Sequence, residues 1–232
     1  MELVMINQIR RPIFSFIGIT LVSFALSGCI LHVNAKNKDW DENSSSDSQD
    51  IKATNKSVKV SEGRTVENVG SVNGSVSIKD NVTAKRVTNT NGRISIGENV
   101  SVDSVKAVNG QIKIDEGFTS QEDVTSVNGQ ISIDENSKVG GGVSTVNGSI
   151  RLDSVVVEKS VVTVNGSISL KQGSQVKGDI HFRGNSKNNY NRKYPTLYIS
   201  ADSTVEGDII LERPVDLELE NNSLESKVKR LY

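Results

Sequence analysis

Counting six residues on from the asparagine of a recurring dipeptide, Asn-Gly or its close surroundings, gives the column Lys79, Gly97, Asp115, Asp134, Asp153 and Lys171. Three successive carboxylates stand in it, with Glu116 and Glu135 beside them. If the repeats stack as neighbouring strands, about 4.8 Å apart, Asp115, Asp134 and Asp153 offer oxygen ligands to a hard cation such as calcium. The competing reading is that these are solvated turn residues closing a strand, a place where Asp is favoured in any case. Calcium-binding repeats carry a recurring Gly-Gly-x-Gly-x-Asp phrase, and Gly140-Gly141-Gly142 alone does not match it. Polysaccharide cleavage would need acids clustered with a partner acid or base. The two histidines are His32, in a polar stretch, and His181, next to Phe182. No Gly-x-Ser-x-Gly elbow, zinc-ligand spacing or phosphate loop occurs. The residues predict no enzyme and, calcium and a covalent lipid apart, no cofactor.

Cys29 is the one cysteine of the 232-residue chain. Arg10-Arg11 and the uncharged run Ile13 to Leu26 precede it, and Leu26-Ser27-Gly28-Cys29 resembles the lipobox of bacterial lipoproteins. The resemblance implies a signal peptide over residues 1–28, removed so that Cys29 becomes the first residue and its thiol carries the lipid. The apolar run is shorter than the ~20 residues that span a bilayer. Ile30 follows where lipoproteins of the inner membrane tend to have Asp, which implies the outer membrane in a Gram-negative cell.

The elements that must position the acidic column come after a tether, read as residues 29–56. Asn34 to Asp50 is Ser-rich and nearly free of aliphatic side chains, so it cannot offset its own ordering entropy; Trp40 within it is read as incidental. A net charge of −1, with both signs interleaved, gives no basic footprint for nucleic acid. With 4% aromatic residues, the apolar content rests on Val and Ile, which suit a pleated surface.

From Ser57 the chain is periodic. Asn73, Asn91, Asn109, Asn128, Asn147 and Asn165 are spaced by 18, 18, 19, 19 and 18 residues. Three and five residues after each stand aliphatic pairs, from Val76/Ile78 to Ile168/Leu170, and the positions between are polar. That is a short strand with one dry and one wet face, repeated six times. Arg93, Lys113 and Arg151 on the wet face could meet an anionic glycan.

Asn-Gly between apolar residues also signals a hairpin. The residues upstream argue against it: Val102, Val105 and Val108 are three apart, as are Val143 and Val146, a step that suits corners each sending one Val inward. The expectation is therefore an all-β, single-stranded β-solenoid (a parallel β-helix) of about eight coils, over residues 57–213. The six asparagines stack as a ladder at one corner, and each following Gly supplies freedom for the bend. Gly184 to Tyr194 reads as an inserted loop, and residues 214–232 as a last strand, cap and tail.

The Val-Asn-Gly-Ser-Ile phrases resemble the repeats of bacterial adhesin-type β-solenoid domains. The segments 173–182 (GSQVKGDIHF) and 203–211 (STVEGDIIL) are similar to bactofilins, polymer-forming β-helix proteins of the cytoskeleton. These resemblances imply a lipid-anchored envelope protein with a structural or adhesive role, toward a cell surface, a glycan or copies of itself. A filament-forming scaffold is the alternative.

Overall fold

The computed structural model describes residues 49–184 and 194–232. Cys29, the signal-peptide and tether readings up to residue 48, His32, Trp40 and most of the expected inserted loop lie outside the described residues.

Ile51 to Arg230 winds as a parallel β-solenoid of about ten coils. Each complete coil turns through three faces. The first face is the strand leading into the ladder asparagine, as in Val124–Asn128, Val143–Asn147 and Val161–Asn165. The second is the strand that follows, as in Ile112–Ile114, Ile131–Ile133 and Ile150–Asp153, and it forms a nine-stranded parallel sheet. The third is short, as in Ser137–Val139 and Val155–Val157. It joins the first face through two long strands, Thr83–Asn91 and Ser101–Asn109, in a 15-stranded sheet. Pairing is in strict register: Asn128 lies opposite Asn109 on one side and Asn147 on the other.

The expected eight coils become ten because the winding starts earlier and ends later. Ile51–Ala53, inside the range read as tether, pairs with Asn68–Asn73 and places Ile51 beside Val69. At the other end Asp216–Leu219 and Val228–Arg230 continue the two sheets, so residues 214–232 are solenoid as well as cap. Between them a 3₁₀ turn, Asn222–Lys227, drops Leu224 onto the core at 4% exposure. Lys227 Nζ donates to the carbonyls of Val205 and Glu206, satisfying acceptors on the strand end below.

The core is a stack of aliphatic columns. On the second face Val76/Ile78, Ile94/Ile96, Ile112/Ile114, Ile131/Ile133, Ile150/Leu152 and Ile168/Leu170 are all buried. This is the inward pairing that the sequence predicts. The three-residue step holds between Val102 and Val105, both buried, and fails between Val105 and Val108 and between Val143 and Val146. Val143 and Thr145 point in while Ser144 and Val146 point out, and Val124, Thr125, Ser126 and Val127 behave the same way. The strand does alternate; its second inward row is Ser71, Asn89, Ala107, Ser126, Thr145 and Thr163. Small and polar residues face the core there because the backbone of the next corner crowds that end. Valine, by contrast, faces solvent: Val72 is 40% and Val127 38% exposed.

Crowding also explains the glycine of each Asn-Gly pair. A Cβ on Gly110 would overlap the carbonyl oxygen of Gly92, and one on Gly129 that of Gly110. Close approach of successive coils requires glycine here, beyond the freedom to bend. The inner row uses the same carbonyls. Asn89 Nδ2 donates to Gly74 O at 2.8 Å and Thr145 Oγ1 to Gly129 O at 3.1 Å.

Candidate functional site

The three corners of the coil carry the polar chemistry. At the first, each ladder Asn donates from Nδ2 to Oδ1 of the Asn one coil before it. The chain of bonds runs from Asn165 through Asn147, Asn128, Asn109, Asn91 and Asn73 to Asn55, at 2.7–2.9 Å. The six predicted asparagines thus stack, and Asn55 is a seventh member, followed by Lys56 in place of Gly. Oδ1 of Asn165 accepts from Nη1 of Arg213 at 2.8 Å, a guanidinium that also bonds Val164 O at 2.9 Å.

At the second corner the chain reverses through residues of positive φ: Gly63 (70°), Asn81 (57°), Asn99 (54°), Gly117 (71°) and Asn136 (55°). Gly and Asn are the residues that tolerate this conformation. They stand eight residues after Asn55, Asn73, Asn91, Asn109 and Asn128, a second periodic signal present in the sequence and not used in reading it. Just before this turn comes the acidic column. Asp115, Asp134 and Asp153 line one open groove with Glu98, Glu116 and Glu135.

Cations of the chain itself already pair with two of the three acids. Lys113 Nζ lies 2.7 Å from Asp115 Oδ1, and Arg151 Nε lies 2.9 Å from Asp153 Oδ2. Each cation is two residues upstream of its acid and so on the same strand face. Asp134 has Ser132 at that position. Partial burial raises its pKa, with Lys113 opposing and the neighbouring Asp115 and Asp153 adding to the rise. Among the described residues no group of three or more His, Cys, Asp or Glu is placed to hold a metal ion. The same pairs occupy Lys113 and Arg151, two of the three cations expected to face an anionic glycan.

The third corner uses carboxylates and hydroxyls as acceptors for the amide one coil on. Asp123 Oδ1 takes Gly142 N–H, Ser160 Oγ takes Asp179 N–H, and Asp179 Oδ1 takes Asp208 N–H. Beside it run partly exposed ion pairs, Glu67 with Lys85 and Glu158 with both Lys138 and Lys177.

His181 is half-buried, and its Nε2 lies 2.8 Å from Glu212 Oε1. Glu212 Oε2 accepts from Gly184 N–H at 3.1 Å. Burial opposes ionisation of Glu212, but the Gly184 amide and His181 together hold its carboxyl below the usual range. This bond network fastens the strand end before the insertion and leaves the histidine engaged. Further along, Lys171 Nζ sits 5.4 Å from the centre of the Tyr198 ring, a cation–π contact at the edge of the acidic groove.

The chain matches no family model, and no curated protein or solved structure is significantly similar to it.

Proposed function

We propose that this is a lipid-anchored protein of the bacterial cell envelope, whose solenoid serves as a stiff spacer with an adhesive face and has no enzymatic activity of its own. Ten coils at about 4.8 Å give the solenoid a length of roughly 45 Å. The observation that carries the adhesive reading is the outer side of the first face. Val72, Thr90, Val108, Val127, Val146 and Val164 stand there in one column, exposed or half-buried, beside Thr88, Lys106, Thr125 and Ser144. A repeated, nearly uncharged strip suits many weak contacts to a repeating surface such as an envelope glycan, with affinity built from avidity.

Anchoring rests on Leu26-Ser27-Gly28-Cys29, with the outer membrane as destination if the cell has one. Palmitate labelling tests it: label is expected on the intact chain and absent from Cys29→Ala. The adhesive strip is tested by Val127→Lys with Val146→Lys. Retention on isolated envelope should fall while the unfolding midpoint stays put; unchanged retention discards this face. Sedimentation at rising concentration separates the spacer from the filament alternative, which requires growth with concentration.

A further inference from the structure

Six Asn-Gly pairs in one domain are six chances for a chain to modify itself. In that reaction the glycine nitrogen gives up its proton to solvent and bonds to Cγ of the preceding asparagine. The Cγ–Nδ2 bond breaks, and Nδ2 takes a proton from solvent and leaves as ammonia. Water then opens the cyclic imide at either carbonyl, giving aspartate or isoaspartate. One water enters, one ammonia leaves, and no electrons are transferred. Glycine puts no side chain in the way of the ring closure, and all six asparagines are exposed, so water reaches them.

The fold withholds the nucleophile at four of the six. The N–H groups of Gly74, Gly92, Gly110 and Gly129 donate to the carbonyls of Asn91, Asn109, Asn128 and Asn147, at 2.9–3.0 Å. Among the described residues no such bond is made by Gly148 or Gly166.

Asn165 differs in two further ways. Its amide oxygen accepts from the Arg213 guanidinium, among the described residues the one cationic donor on the ladder. A donor at that oxygen stabilises the negative charge that develops there when Cγ is attacked. Secondly, the inner row lacks its side-chain bond at the same coil. Thr145 Oγ1 bonds Gly129 O, but Thr163 Oγ1, fully buried and close to Gly166, has no partner among the described residues.

We propose that Asn165-Gly166 is a self-modification site, where the chain loses ammonia through a cyclic imide while the inner members of the ladder are protected. The product carboxylate pairs with Arg213 but has no hydrogen to donate to Asn147 Oδ1, so one rung is lost. The isoaspartyl form also lengthens the backbone at a corner whose register with Asn147 is set by the strand pairing.

The test is peptide mapping by mass spectrometry of the whole chain, held folded at mildly alkaline pH, with a urea-unfolded sample as reference. In urea all six pairs should convert at similar rates. In the folded protein Asn165 should convert several-fold faster than Asn91 and Asn109, with Asn147 between. Conversion at Asn91 or Asn109 that keeps pace with Asn165 overturns the proposal, as does an inert Asn165. Arg213→Gln should slow conversion at Asn165 several-fold and leave Asn147 unchanged; faster conversion there overturns the role of the guanidinium. Arg213→Lys, which keeps the charge, should fall between.

Discussion

The coils up to Asn165 and the coils from Ile180 onward fill the same corner by different means. In the first set the second inward position of the first face is small or polar, from Ser71 to Thr163, and the corner is held by the Asn ladder and the closely stacked glycines. In the second set the same position is Phe182 and then Leu211, both fully buried, and no ladder asparagine follows. Arg213 stands where the ladder would continue, and reaches back over Gly184 to close it. Polar stacking and apolar volume are therefore alternatives. A corner built on hydrogen bonds needs small inner residues so that the backbones approach; a corner filled by a large ring does without either.

This contrast can be broken from both sides. Gly110→Ala drives a methyl into the Gly92 carbonyl and should cost the ladder coils more than about 4 kcal/mol, or prevent folding, as read from denaturant unfolding. Phe182→Ala should strike the C-terminal coils by about 3–5 kcal/mol through the cavity left behind. Amide exchange should show the loss concentrated from Ile180 onward. A loss shared evenly over all coils would show that the two regions do not differ as described.

Smaller changes sharpen it. Asn109→Ala removes a side-chain bond to each neighbour, Asn91 and Asn128, and should cost about 1–2 kcal/mol. Thr163→Val replaces a buried, unpartnered hydroxyl with a methyl and should be neutral or stabilising by up to about 1 kcal/mol, the opposite sign from Thr145→Val.

The smallest effect is at Asp134. Its pKa is raised in the folded chain, so the ionised carboxylate destabilises the fold at neutral pH and protonation relieves this. Asp134→Asn should gain less than about 0.5 kcal/mol at neutral pH. The gain should vanish as pH falls through the raised folded value toward the ordinary carboxylate range, in melts across pH.

The second face was legible because its strand has large aliphatic residues inside and polar ones outside, the ordinary pattern of a half-buried strand. The first face is less legible because its pattern is inverted near the corner. Val108, Val127 and Val146 face solvent, while Ala107, Ser126 and Thr145 face the core. Hydropathy alone cannot see that a closely packed backbone excludes volume. The end coils are the hard ones to count: Ile51–Ala53 is a three-residue strand at the end of a polar stretch, and Val228–Arg230 follows a 3₁₀ turn and not a ladder asparagine. As for the acidic column, its stacking was visible in the spacing. Its occupation by Lys113 and Arg151 was written two residues upstream of Asp115 and Asp153, in the period of the strand itself.

The ladder has one further consequence. Every amide in it points the same way, donor toward the N-terminal coils and acceptor toward the C-terminal ones. Aligned dipoles add and polarise one another. The row therefore acts as the side-chain counterpart of a helix macrodipole, with a partial positive pole at Asn55 and a partial negative pole at Asn165. Arg213 places its full positive charge on the negative pole, and the opposite pole, at the first coil, is a place suited to negative charge.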